Sequence, residues 1–168
     1  DKAARPELLS RNDFPWIVAR VAYHNRACLQ WSGDVCVQEG AWGLVRGAGG
    51  YTEPDVVSTA LALLALSDPF FENVLVDLAQ IRQTAASYLF SVFNPDGGAG
   101  AGTSSIHETC LAMLALRAAG SLNPVVFADA SSYLLSRQLP DGSFEGDAYL
   151  TALGLRVLWQ KRPNLYSS

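Results

Sequence analysis

One apolar phrase, with a threonine near its start, occurs three times along the chain: Ser-Thr-Ala-Leu-Ala-Leu, Glu-Thr-Cys-Leu-Ala-Met and Leu-Thr-Ala-Leu-Gly-Leu. A phrase that recurs at a period of about 20–50 residues is the signature of a repeat architecture. The threonines align at Thr59, Thr109 and Thr151, so the steps are 50 and 42 residues. The pattern therefore predicts three related structural units.

A second set of positions repeats between the last two units at an offset of 45 residues. Ser-Tyr-Leu begins at Ser87 and again at Ser132, and Pro-Asp-Gly begins at Pro95 and again at Pro140. Proline cannot continue a helix and glycine accepts positive φ, so Pro-Asp-Gly favours a turn. Each unit is therefore predicted to hold a first helix, a turn with a Gly-rich loop, and then the threonine helix.

The two helices of a unit differ in their polarity. The threonine helix at 56–66 is apolar on nearly every side, which is typical of a helix buried all round. The helix that precedes the second phrase, at 79–93, is amphipathic. Outer and inner helices stacked in pairs form an α/α toroid or a curved solenoid. The predicted fold class is all-α: a half or open α/α toroid of about three helix pairs, in one domain spanning residues 1–168, with repeats at about 13–67, 73–119 and 123–160.

The first unit is predicted to be irregular. Its outer helix is expected at 13–29, with His24 on the polar outer face. A Gly-rich segment follows at 32–51. Loops of that length are usually functional or mobile, so this segment is a candidate for function.

Start signals precede the threonine helices. Ser105-Ile-His-Glu108 and Thr52-Glu-Pro-Asp55 both have the spacing of a capping box, with a hydroxyl followed three residues later by an acid. Asp147 is predicted to be the N-cap of the last helix.

Composition and charge exclude several classes of protein. The 168 residues are 49% hydrophobic and 17% charged, which argues against disorder. The net charge is −4 and the basic residues are scattered, which argues against nucleic-acid binding. No apolar run is long enough to span a bilayer, and no signal-peptide pattern is seen. The odd count of three cysteines, with Cys28 and Cys110 in apolar patterns, predicts free buried thiols and a cytoplasmic location.

The last unit, from Tyr133 to Phe144, resembles the QW motif: an aromatic residue and Leu, three residues, Gln and, after a short gap, Gly-x-aromatic. The first unit has a reduced version from Gln38 to Trp42. With these motifs and the threonine helices, the chain is similar to the terpenoid cyclase and protein prenyltransferase superfamily of α/α toroids, over about residues 23–160.

This resemblance implies that an apolar, isoprenoid-type substrate binds in a cavity lined by the inner helices, where an acid assists its cyclisation. The enzyme would be an isomerase, lyase or transferase. The same fold also hosts non-enzymatic members, so the alternative is a non-catalytic binding or assembly module. In the family, the Gln and the aromatic residue of the QW motif brace helix ends.

The chain also departs from the family. The Asp-x-Asp-Asp acid motif of the cyclases is absent, and the nearest sequence is Glu145-Gly-Asp147. Asp34, Cys36 and His107 imitate the zinc ligands of the prenyltransferases. In that family Asp-x-Cys opens an inner helix, whereas here it lies in the long loop. We therefore expect no metal and no cofactor.

The candidate site is the rim at which the N-termini of the parallel inner helices gather. An acid in apolar surroundings there can become a proton donor, and aromatic rings can stabilise a carbocation. The alternative for the acids is helix capping. The candidate catalytic residues are Asp55, Asp147, Glu53 and Glu145. The candidate substrate-binding residues are Trp42, Tyr51, His107, Phe144 and Tyr149.

Three units are about half of the ring that the family closes. We therefore expect a homodimer or a partner domain that completes the toroid. The other expected partners are an apolar small-molecule ligand and, peripherally, a membrane surface, but not nucleic acid.

Overall fold

The computed structural model describes residues 26–43, 52–73, 77–121 and 123–159. These residues form an antiparallel hairpin followed by helices. In chain order the elements are β1 (Arg26–Ser32), β2 (Val35–Trp42), α1 (Val56–Leu66), a 3₁₀-helix (Pro69–Asn73), α2 (Leu78–Ser91), α3 (Ile106–Ala118), α4 (Pro124–Arg137) and α5 (Ala148–Trp159).

The prediction of an all-α fold is wrong, because a two-stranded sheet stands beside the helices. The outer helix predicted at 13–29 is wrong from Arg26 onward, since β1 begins there. The loop predicted at 32–51 contains β2. The rest of the predicted helix, including His24, lies outside the described residues.

A two-residue turn explains the hairpin. Ser32 pairs with Val35, so Gly33 and Asp34 alone connect the strands. Gly33 has a φ of 60°, which a two-residue hairpin turn requires and glycine adopts without steric cost. Cys28 on β1 is bonded to Cys36 on β2, so the prediction that Cys28 is a free thiol is wrong. Within the described residues Cys110 remains a free, buried cysteine.

The disulfide should be measurable both by thiol counting and by stability. Without reductant, the unfolded protein is expected to show one reactive thiol, from Cys110, and three after reduction. Replacing Cys28 and Cys36 together by serine should lower the free energy of unfolding by about 2–3 kcal/mol in urea titrations, because a short closed loop then regains its entropy in the unfolded chain. Three reactive thiols before reduction would contradict the pairing.

The helices form two rows, as the polarity patterns predict. In the inner row, α3 packs between α1 and α5. Every residue of α3 from Thr109 to Leu116 is buried. The outer row contains α2, which packs on α1 and α3, and α4, which packs on α3. In the first unit β2 takes the outer position and packs on α1 and α2.

The Pro-Asp-Gly turns have the same hydrogen bonds in both units. The Gly97 N–H donates to the Asn94 carbonyl at 2.9 Å, and the Gly142 N–H donates to the Leu139 carbonyl at 2.8 Å. Both glycines have a φ of 86°, a region that favours glycine. The offset of 45 residues therefore reflects two turns of the same geometry.

The repeated threonines join each inner helix to the loop before it. Each hydroxyl accepts a hydrogen bond from a loop N–H, at 3.0 Å from Trp42 to Thr59, 2.8 Å from Ala99 to Thr109 and 3.0 Å from Phe144 to Thr151. The carbonyl of the same loop residue accepts from the N-cap N–H, of Asp55, Ser105 and Asp147 respectively. Trp42, Ala99 and Phe144 are thus equivalent, although the loops that carry them differ in length. The threonine recurs because its hydroxyl holds the loop against the helix start.

Candidate functional site

Two of the four candidate catalytic acids cap inner helices. The Asp55 carboxylate accepts from the Ser58 N–H at 2.6 Å, and the Asp147 carboxylate accepts from the Leu150 N–H at 2.7 Å. Asp55 is itself the N-cap of α1, so the predicted capping box with Thr52 at its start is wrong. These bonds satisfy N–H groups that a helix leaves without intrahelical partners. The capping alternative accounts for both carboxylates, and a catalytic role for them stays a prediction.

The other two candidate acids lie at the surface. Glu53 and Glu145 are both exposed, so their carboxylates are in contact with water. Glu145 has a φ of 55° in the tight turn before Asp147. Neither side chain therefore has the enclosed, apolar surroundings in which the predicted proton donor would lie.

The rim brings together two of the predicted substrate-binding residues. His107 Nε2 lies 3.3 Å from the Tyr149 hydroxyl, and the two ring centroids are 5.6 Å apart. The two residues occupy equivalent positions in α3 and α5, at the 42-residue step. Tyr149 is 57% exposed, so one side of this pair is open to solvent. Tyr51 lies outside the described residues.

Trp42 and Phe144 lie in the core. Their exposed fractions are 4% and 0%. A Cβ built on Gly154 of α5 would come within 2.5 Å of the Phe144 ring, so the ring lies directly on the helix backbone. The Gln138 side chain donates to the Gly142 carbonyl at 2.8 Å in the same turn. Gln138 is thus hydrogen-bonded within the turn and the Phe144 ring is packed on α5, so a bracing role for both stays a prediction. The side chains of Trp42 and Phe144 do not line a surface.

Tyr88 on α2 is a rim residue that the sequence analysis missed. Burial raises its pKa to about 12, and the carboxylates of Asp55 and Glu108 add to that rise. At neutral pH the phenol is therefore protonated and able to donate a hydrogen bond. The available signal was its place in the repeated Tyr-Leu pair, which aligns it with Tyr133 on α4.

A depression of about 360 Å³ lies elsewhere, between α2 and the C-terminal end of α3. Arg82, which lines it, is already engaged: its Nε donates to the Leu66 carbonyl at 2.8 Å and its guanidinium lies 3.5 Å from Glu72. This depression is at the opposite end of α3 from the rim and contains none of the candidate residues.

The zinc alternative finds no support in the described ranges. Cys36 is in the disulfide and so offers no thiolate to a metal. Within residues 26–43, 52–73, 77–121 and 123–159, no group of three or more His, Cys, Asp and Glu side chains is placed to hold a metal ion.

Burial raises the pKa of the Cys110 thiol to about 12, which makes it a poor nucleophile.

One end of the inner row exposes apolar side chains whose repeat equivalents are buried. On α1, Leu61 is 52% exposed and Ala65 is also exposed. The equivalents in the next two units are buried: Leu111 and Ala115 in α3, and Leu153 and Val157 in α5. We call Leu61 and Ala65 the first end face.

The other end of the inner row also exposes apolar side chains whose repeat equivalents are buried, but at a different pair of positions in the phrase. On α5, Leu155 is 48% exposed and Ala152 is also exposed. The equivalents in the two preceding units are fully buried: Ala60 and Leu63 in α1, and Cys110 and Met113 in α3. We call Ala152 and Leu155 the second end face.

Comparison of the chain with protein-family models, curated proteins and solved structures finds no match. The similarity to terpenoid cyclases and prenyltransferases therefore stays a prediction from the motifs. Among the helices in the described part of the chain, none combines the length and the apolarity needed to cross a bilayer.

Proposed function

We propose that this chain is a non-catalytic binding and assembly module, which takes up apolar partners through the two end faces of its inner helical row. One observation carries the proposal. Positions that are buried in the middle of the row are exposed at its ends, while the side chains there remain apolar. Burying a leucine side chain contributes about 1.5–3 kcal/mol, so two such faces offer a substantial driving force for binding.

The rim supports this choice over acid catalysis. Cyclisation of an alkene needs a carboxylic acid that is protonated near neutral pH, which requires burial. Glu53, Glu145 and Asp147 are exposed, and Asp55 is held by the Ser58 N–H.

Binding of an apolar fluorescent probe, anilinonaphthalene sulfonate, tests the proposal. At low protein concentration, the folded chain is expected to enhance the probe's fluorescence, and Leu61→Glu and Leu155→Glu should each reduce the enhancement. Binding of the probe over either face would bury the new carboxylate, which costs free energy. Leu61 and Leu155 are themselves exposed, so the folded chain can accept Glu at these positions. Val125→Glu is the matched control, because Val125 is 67% exposed but lies on α4, away from both end faces.

Two results would contradict the proposal. If Leu61→Glu and Leu155→Glu enhance the probe's fluorescence as much as the natural sequence does, the end faces take no part in binding. Alternatively, incubation with squalene would yield cyclised product, and Asp55→Asn would abolish it, if the chain is an enzyme.

The isoprenoid-cyclase function remains the second candidate, because the carboxylates of Asp55 and Glu108, at the starts of α1 and α3 where the motifs place the chemistry, both add to the rise in the Tyr88 pKa. In that case the apolar ligand would lie over the starts of α1 and α3. The squalene assay above decides between the two candidates.

The location also stays a proposal. Cytoplasmic residence was predicted from an odd number of free cysteines, but two of the three form a disulfide. Disulfides persist mainly in oxidising compartments. The cysteines therefore favour an oxidising compartment over the cytoplasm.

A further inference from the structure

We infer that the partner of the end faces is a second copy of this chain, docked head to tail: the second end face of one copy packs against the first end face of the next. This inference rests on the proposed function and names the partner. It follows from how the helices of the inner row already pack on one another.

The inner row contains the same kind of contact twice. The middle helix, α3, buries one side toward α5 and another side toward α1. We assign Cys110 and Met113 of α3 to the side toward α5, because α5 exposes their equivalents, and Leu111 and Ala115 to the side toward α1, because α1 exposes theirs. Residues one apart on a helix point about 100° apart, so the two sets lie on different sides. Both are fully or nearly fully buried because α3 has a neighbour on each side.

The two ends of the row are the two halves of that contact. α1 lacks a described inner helix before it, and it exposes Leu61 and Ala65, the equivalents of Leu111 and Ala115. α5 lacks a described inner helix after it, and it exposes Ala152 and Leu155, the equivalents of Cys110 and Met113. A second copy would therefore supply to each end the type of surface that its repeat equivalent already packs against.

The contact sizes are compatible. The exposed pairs each combine one leucine with one alanine. Between α1 and α3, which pack on each other, the buried residues at the corresponding positions are Ala60 and Leu63 in α1 and Leu111 and Ala115 in α3, again one leucine and one alanine from each helix. The intermolecular contact would thus continue an interface that the chain already forms, with side chains of the same volume.

A head-to-tail contact joins two different surfaces, and this makes it testable. Such heterologous interfaces close into a ring or extend into a filament, whereas a two-fold dimer uses the same surface on both copies. A chain with only its first end face blocked keeps the second, and the converse holds for the other variant. Each variant alone should be monomeric. In a mixture, the intact second end face of one variant should bind the intact first end face of the other, which gives a dimer and nothing larger.

Sedimentation velocity on the full chain tests this. The natural sequence and Val125→Glu are expected to sediment as a dimer or larger species as concentration rises. Leu61→Glu and Leu155→Glu should each sediment as monomers, and an equimolar mixture should form a one-to-one dimer that grows no further. Unchanged circular dichroism would show that the variants are folded.

Other outcomes would overturn the inference. A natural sequence that stays monomeric while it still binds the fluorescent probe at its end faces would leave the proposed function standing with a different partner. Loss of association in one variant but not in the other would indicate a two-fold contact through a single face. A mixture as monomeric as its components would exclude the head-to-tail arrangement.

Discussion

Replacing Phe144 by alanine is expected to lower the free energy of unfolding by about 3–5 kcal/mol, since this is the usual cost of emptying the place of a core aromatic ring. Phe144 is fully buried and belongs to the main hydrophobic core. Its ring lies on the backbone of α5 at Gly154. Urea titration followed by circular dichroism gives the change.

Tyr149→Ala is the matched control, since it removes an aromatic ring of similar size that is 57% exposed. We expect it to cost well under half as much. A loss of less than about 1 kcal/mol for Phe144→Ala would contradict a bracing role, because core truncations of this kind cost more. Such a result would also reopen the hypothesis that the ring contacts a ligand.

Thr109→Val should lower the free energy of unfolding by about 1–3 kcal/mol, the cost of leaving a buried polar group without a partner. Valine has nearly the same shape as threonine, so packing is largely conserved. The Ala99 N–H, which donates to the Thr109 hydroxyl at 2.8 Å, would lose its acceptor in a fully buried position. The same titration measures the loss.

Two variants make that result interpretable. Thr109→Ser keeps the hydroxyl and should recover most of the hydrogen-bond contribution. Thr151→Val removes the same bond to Phe144, but Thr151 is only half-buried, so water can replace the lost partner and the cost should be smaller. If Thr109→Val and Thr151→Val were both as stable as the natural sequence, the threonine hydroxyls would not hold the loops. The repeated phrase would then need another explanation.

Local features were predictable to the extent that neighbours in the chain determine them. The N-caps at Asp147 and Ser105 were predicted and are present, because these hydrogen bonds span only three residues. The other half of the predicted capping box is absent: the Glu108 carboxylate accepts from the Ser105 hydroxyl, while the Ser105 N–H donates to the Ala99 carbonyl. The Pro-Asp-Gly turns are set by fixed φ at proline and permitted positive φ at glycine. The Thr-Ala-Leu period likewise placed the inner helices.

The hairpin was missed although a short-range signal existed. Gly33-Asp34 is a two-residue connection between residues that favour strands. The apolar residues around Cys28 were interpreted at helical spacing, and short apolar runs do not distinguish a strand from a helix by period alone. The pairing of Cys28 with Cys36 then followed from the strands, which place the two cysteines across the hairpin.

The sequence by itself determined the repeat, its turns and the N-caps at Ser105 and Asp147, because these depend on backbone preferences and hydrophobic period within a few residues. The prediction that α1 is buried on every side is wrong, because Leu61 and Ala65 are exposed. Only the tertiary structure decided which acids are exposed, which carboxylates raise the pKa of Tyr88, and which of three equivalent leucines lies at a surface. Leu61, Leu111 and Leu153 stand at the same place in the same phrase, yet one is 52% exposed and the others are buried. Burial depends on what packs against a side chain, and that neighbour comes from residues distant in the chain.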